Sequence, residues 1–243
     1  MRTRVSIPVA VARSNDASGS SDIQRGPYAA RLSPPAAAEG IRLADPHRPQ
    51  PALAACARWA AFMPDLYVFP GGRRDQRDHA LPFSGDLNPA VMDLLLRRCP
   101  PTMGQSGARA LALAALRELH EETGLQLGPA ALSDMSYRPD LSSLRFVARA
   151  VTPPGAVRRF DNRFFATFVD EASIDLQSLR ESDELSDFRW LDLAALHSVR
   201  LPEIVAVVAR DLKISLESDP SLPFGSDVYT YSNRNGQFLR SRL

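Results

Sequence analysis

The chain has 243 residues, is 44% hydrophobic and carries a formal charge of +1 from 29 basic and 28 acidic residues. It is long enough for one large domain or two small ones with a proper core, and the near-cancellation of charge leaves no field to hold a polyphosphate backbone or an anionic membrane. Nucleic acid and membrane surfaces are therefore not the expected partners; a small molecule is, and a homodimer is compatible with the chain.

Cys56 and Cys99 stand far apart with no Cys/His cluster, which gives neither a disulfide framework nor a zinc site. No apolar run approaches the roughly 20 residues a membrane span needs, and the first segment lacks a secretory apolar region. The expected location is cytoplasmic. The closing Ser241-Arg242-Leu243 resembles the S-K-L peroxisomal address, an outside alternative to a chance tripeptide.

Residues 1–50 read as a poorly structured arm with flexible stretches at "SNDASGSSD" and "SPPAAAEG". It contributes at most one strand, Val5 to Val11, which Pro8 demotes toward a sheet edge. A domain over 51–243 follows. Its opening "RPQPALAACARWAAF" (Arg48 to Phe62) reads as helical or irregular, and "DLYVFPGG" as a buried strand, Leu66 to Phe69, stopped by Pro70, Gly71 and Gly72. Prolines and glycines bracket residues 73–107, predicting an excursion from the core with a short helix near Ala90 to Arg98. Ala108 to Thr123 is the clearest helix. Leu111, Ala112, Ala115, Leu116 and Leu119 form its apolar stripe, Ser106 or Gly107 can cap its start, and Gly124 sits where a terminating glycine belongs. Strand-like runs at Leu144 to Thr152 and Asn162 to Asp170 suit antiparallel pairing, and another lies at Asp187 to Leu193. A helix over Leu201 to Ser215 and a hairpin around Asn235-Gly236 close the chain. Irregular alternation of this kind predicts a mixed sheet with helices on its faces.

The helix carries Glu118, Glu121 and Glu122 on one side, near an end where the helix dipole already disfavours anions. Like charges at this spacing repel. A divalent cation reverses both penalties, since Mg²⁺ takes oxygen ligands and bridges carboxylates to substrate phosphates. The competing reading is an ordinary solvated face, with Arg117 and Glu121 forming a pair worth ~0.3–0.5 kcal/mol. "FPGG" upstream tips the balance, because Gly71 and Gly72 let a bare backbone approach a ligand.

Arg117-Glu118-Leu119-x-Glu121-Glu122-x-Gly124-Leu125 resembles the second half of the Nudix box, GX5EX7REUXEEXGU with U aliphatic. Gly72 followed after five residues by Asp78 resembles its first half, with aspartate in place of glutamate. There are 38 residues between Asp78 and Arg117, so the box is split by an insertion at about 79–107. The split, with "FMPDLYVFPGG" before it and "PPGAVRRFDNRFF" after it, is similar to a long-insert Nudix branch that includes a peroxisomal coenzyme A diphosphatase.

The resemblance implies an α/β/α sandwich around a mixed sheet. It also implies Mg²⁺ or Mn²⁺ held by Glu118, Glu121, Glu122 and the Gly71 carbonyl, with Arg117 orienting a glutamate. Asp78, a shorter carboxylate, is expected to act as a structural or outer-shell group. A further acid from "ESDELSDFRW" is expected, with Glu184 first and Glu181 and Asp183 as rivals. The implied reaction is attack of water on a nucleoside diphosphate derivative, with Glu121 or Glu118 as base and Glu184 as an alternative. Coenzyme A or acyl-CoA leads as substrate; ADP-ribose, a nucleotide sugar or a dinucleoside polyphosphate is the second reading, and a non-catalytic nucleotide-binding regulator the third. Arg58, Gly72, Arg159 and Arg163 are the candidate substrate contacts, although Phe160, Phe164 and Phe165 read more simply as core and the neighbouring arginines as solvated strand ends.

Overall fold

The computed structural model describes residues 6–14, 53–59, 66–128, 137–152, 160–193, 196–234 and 237–243. Strands β1 (Ser6–Ser14), β2 (Leu53–Trp59), β3 (Tyr67–Val68) and β4 (Gly71–Arg73) come first, followed by helices α1 (Pro89–Leu96) and α2 (Gln105–Thr123). Then come β5 (Arg145–Val151), β6 (Asp161–Phe168), β7 (Leu185–Asp192), α3 (Glu203–Ser218), β8 (Tyr229–Arg234) and β9 (Gln237–Arg242). Six strands form a sheet in the order β4-β1-β6-β5-β8-β9, and β3-β2-β7 form a smaller one. The large sheet is mixed: β1 runs parallel to β4 and β5 parallel to β8, while β6 is antiparallel to both of its neighbours.

Side chains alternate across a strand, and β6 uses both faces. Phe165 joins Phe146, Leu111, Leu116 and Leu119 under α1 and α2. Phe164, Ala166 and Phe168 join Val205, Val208 and Leu212 under α3. The sheet is thus covered by helices on both faces, the α/β/α arrangement expected. No helix among the described residues is long and apolar enough to cross a membrane.

α2 starts upstream of the expected Ala108 because Gly104, rather than Ser106 or Gly107, occupies the N-cap, where no side-chain bond is made. It stops at Gly124, whose φ of 78° is left-handed and suits glycine.

Three expectations are corrected. β1 lies inside the sheet, not at its edge, and its register shifts between Ile7 and Ala10, so Pro8 falls at an irregularity where its missing N–H is tolerated. The Ala-rich stretch read as helical is strand β2, paired to β3 and β7 on either side; sheet pairing overrides the local preference of alanine. The insertion is no excursion: Val91 and Leu95 of α1 are buried in the cluster that contains Leu111 and Leu116. β8 and β9 pair as a hairpin through Arg234 and Gln237, and the Asn235-Gly236 turn itself lies outside the described residues.

Candidate active site

α2 is buried on nearly every position from Gly107 to Leu116, and its polar edge emerges only in the last two turns. Glu122 is buried and accepts a hydrogen bond from the Gly71 N–H at 2.8 Å. The Glu118 side chain, 16% exposed, lies so close to the backbone of β4 that a Cβ at Gly72 would fall inside its carboxylate. The two glycines therefore serve different needs. Gly71 adopts a φ of 151° that L side chains rarely take, and Gly72 leaves room for an acid.

Arg117 organises this edge. Its Nε donates to Asp78 Oδ1 at 2.8 Å, its Nη1 to Glu118 Oε1 at 2.9 Å and Glu121 Oε2 at 3.0 Å, and its Nη2 to the Arg73 carbonyl at 3.0 Å. Asp78 is fully buried and also accepts the Asp75 N–H at 2.6 Å, closing a capping box on the short turn Gln76–His79. Burial works against the Arg117 charge, but the Asp78 bond and the Glu118 charge outweigh it and hold the guanidinium above its ordinary pKa. Burial raises the Glu118 carboxyl; Arg117 opposes this, and the charges of Glu121 and Glu184 add to it.

The segment after β6 is fastened to the end of α2. Arg180 N–H donates to the Thr123 carbonyl at 2.9 Å, and a side chain at Gly124 would strike the Ser178 carbonyl. Glu181 Oε1 accepts the Asp187 N–H at 2.8 Å, whereas Glu184 is exposed and its charge acts on Glu118. Of the three rivals in this loop, Glu181 is thus tied to the backbone, while Asp183 and Glu184 are exposed. Sequence reasoning missed the cluster beside them, in which the Tyr67 hydroxyl donates to Asp187 and Arg189 grips the same carboxylate at 3.0 and 2.9 Å. The available signal was the Asp187-x-Arg189 spacing, which puts both side chains on one face of a strand.

Among the described residues no three acidic, histidine or cysteine side chains are arranged as a finished metal site. Arg117 holds Glu118 and Glu121, while Glu122 is turned to Gly71. The donor chemistry nevertheless fits a hard cation: carboxylate oxygens beside a backbone free of side chains, with one half-buried acid whose ionisation is opposed by burial and by like charges.

Residues 100–212 match the model of the NUDIX domain. That stretch, just under half of the chain, is similar to a NUDIX domain. The domain supports a hydrolase acting on phosphorus-containing anhydrides, with the pyrophosphate bond of nucleotide derivatives as the general target. The matched stretch holds Arg117, Glu118, Glu121, Glu122 and Glu184; Gly71, Gly72 and Asp78 precede it. Among solved structures the chain is similar to a NUDIX hydrolase from Alicyclobacillus acidocaldarius, with a TM-score of 0.45 and 18% identity over 90% of this chain and 93% of that one. No curated protein matches the sequence.

The substrate contacts expected beside α2 fare unevenly. Arg163 is corrected: it is buried in the middle of the sheet, where it pairs with Asp161 and its Nη2 lies 3.5 Å from Cys99 Sγ. It is neither a solvated strand end nor open to a ligand. Phe164 and Phe165 are core, as read, and Phe160 is half-buried. Arg58 stands on β2 at the register of Tyr67 and Ser186. Arg159 lies outside the described residues.

Proposed function

We propose that this protein hydrolyses the diphosphate linkage of a nucleoside diphosphate derivative, with coenzyme A or an acyl-CoA as the leading substrate. The observation that carries the reading is the packing of the Glu118 carboxylate on Gly72, which sets an acid against bare backbone beside Glu121 and Glu122. Glu118, Glu121 and Glu122, with the Gly71 carbonyl, would hold Mg²⁺ or Mn²⁺. Such an ion, when bound, offsets the diphosphate charge and makes an attacking water more acidic.

The chain's own residues do the rest. Arg117 keeps Glu118 and Glu121 side by side, and buried Asp78 fixes Arg117 from behind. Gly72 presents no side chain to displace the Glu118 carboxylate from beside the backbone. Glu121 or Glu118 accepts the proton of the attacking water, with Glu184 as the alternative. The coenzyme A preference rests on the split box and on the "PPGAVRRFDNRFF" segment. With Arg163 buried, Arg158 and Arg159 are left as the arginines of that segment, and Arg159 is the one proposed to meet the 3′-phosphate.

The test is turnover of coenzyme A against ADP-ribose, a nucleotide sugar and a dinucleoside polyphosphate, each with Mg²⁺ and with Mn²⁺, the products being separated and weighed. Preferential cleavage of coenzyme A at its diphosphate supports the full reading. Preference for ADP-ribose removes the coenzyme A assignment alone, and absence of turnover on the whole panel removes the catalytic one.

A further inference from the structure

Glu184 occupies a turn that is unusually well tied down for an exposed acid. Ser182 N–H donates to the Leu185 carbonyl at 2.9 Å, and Leu185 N–H returns to Ser182 Oγ at 3.1 Å, so Asp183 and Glu184 form the tip of a closed turn. Leu185 is buried against Val68. On the far side, Asp187 is held in a left-handed conformation, φ 51°, uncommon for non-glycine residues and best tolerated by aspartate and asparagine. Its N–H is taken by Glu181, and its carboxylate by the Tyr67 hydroxyl and by Nε and Nη2 of Arg189. The Arg189 guanidinium also lies 5.2 Å from the centre of the Tyr67 ring.

Tyr67 belongs to β3, which runs directly into Phe69, Pro70 and the glycine pair. The Tyr67–Asp187 bond therefore connects β3, which lies just before Gly71 and Gly72 in the chain, to the turn that supplies Glu184. The same turn is fastened at its other side to the end of α2 through Arg180 and Thr123. Glu184 thus hangs between two anchors, one on each half of the site.

We infer that Asp187 is a positioning residue which, gripped by Tyr67 and Arg189, fixes the turn that carries Glu184. The inference rests on the hydrolase reading above and extends it to a residue outside the Nudix box. Asp187 touches neither substrate nor ion; it acts through Glu184.

The experiment is a double-mutant cycle of Asp187→Asn and Glu184→Gln, read in kcat and KM on the substrate the panel identifies and in Mn²⁺ affinity by calorimetry without substrate. Asparagine tolerates the left-handed backbone but loses the ionic grip of Arg189. Each single change is expected to lower kcat roughly 10- to 100-fold with little change in KM, and the double variant to be no worse than Glu184→Gln alone. Additive losses, or full activity in Asp187→Asn, would overturn the inference. Hydrogen exchange supplies an independent reading: the amides of residues 182–185 should exchange faster in Asp187→Asn while those of α2 stay unchanged, and unaltered exchange in the turn rejects the role. Should Asp187→Asn fail to fold, Tyr67→Phe runs the same cycle. If the wild type turns over nothing on the panel, the hydrolase reading falls by itself, and the exchange result still decides whether Asp187 holds the turn.

Discussion

Among the described residues, two clusters pair a buried aspartate with an arginine, and they lie on opposite faces of the sheet. Under α3, Asp211 receives the Tyr231 hydroxyl and the Arg240 Nε, at 2.6 Å for the latter, while the Arg240 guanidinium lies 3.4 Å from the centre of the Tyr229 ring. Beside α2, a single guanidinium is divided among Asp78, Glu118 and Glu121, with Glu122 and Glu184 close by. The first cluster gives one acid two donors. The second gives one cation three acids. Matched donors and acceptors make a tie between a helix and a terminal hairpin, whereas surplus negative charge beside bare backbone has a use only if something positive is to come.

The contrast can be broken most forcefully at Glu121. Glu121→Gln is expected to lower kcat about 10²- to 10⁴-fold with an unchanged thermal melt, and undiminished turnover would remove the acid cluster from the chemistry. Next comes Asp78→Ala, which strips a buried partner from Arg117 and should cost about 3 kcal/mol in urea unfolding. A loss well under 1 kcal/mol would show that Glu118 and Glu121 suffice to hold the guanidinium. Gly72→Ala forces a methyl into the space of the Glu118 carboxylate. Overpacking of this kind costs about 1–3 kcal/mol, and Mn²⁺ affinity measured by titration should fall with it. In the opposite cluster, Tyr231→Phe should cost about 1 kcal/mol and leave kcat untouched, since the bond it removes ties α3 to β8 and reaches nothing reactive.

The smallest expected effect concerns pH. The folded Glu118 carboxyl is raised above its ordinary 4.5 by burial, with Glu121 and Glu184 adding to it against Arg117. Between the unfolded and folded values the native state holds more protons than the unfolded one, so this group's contribution to stability declines as pH rises through that window. Glu118→Gln should therefore melt slightly higher than wild type at neutral pH in the absence of divalent ions, with the advantage shrinking toward pH 4. An advantage that grows on acidification contradicts the assignment.

Much of this was legible in the residues. The apolar stripe from Leu111 to Leu119 and the glycine after Thr123 announce α2, because a helix writes its period and its stop signal locally. The β5 and β6 runs and the closing hairpin read equally well. What escaped depends on partners distant in sequence. β2 is a strand only because β3 and β7 flank it, and no local signal in "LAACARW" outweighs alanine's helical preference. Arg163 looked like an anion contact because a run of arginines and aromatics does not state which strand lies mid-sheet. At the site, the acids and the glycines were readable as residue types at a known spacing. The Gly72–Glu118 contact and the Tyr67–Asp187–Arg189 cluster were not, being products of three-dimensional closure across long separations.

β4 supplies both glycines of the site and sits at the margin of the large sheet, where its neighbour is β1, drawn from residues 6–14. Removing this leading stretch to obtain a tidier sample would strip the glycine strand of its neighbour in the sheet and leave it to its bonds with Glu122 and Arg117 of α2. An inactive truncated preparation would then report on sample design, not on the chemistry of the intact polypeptide.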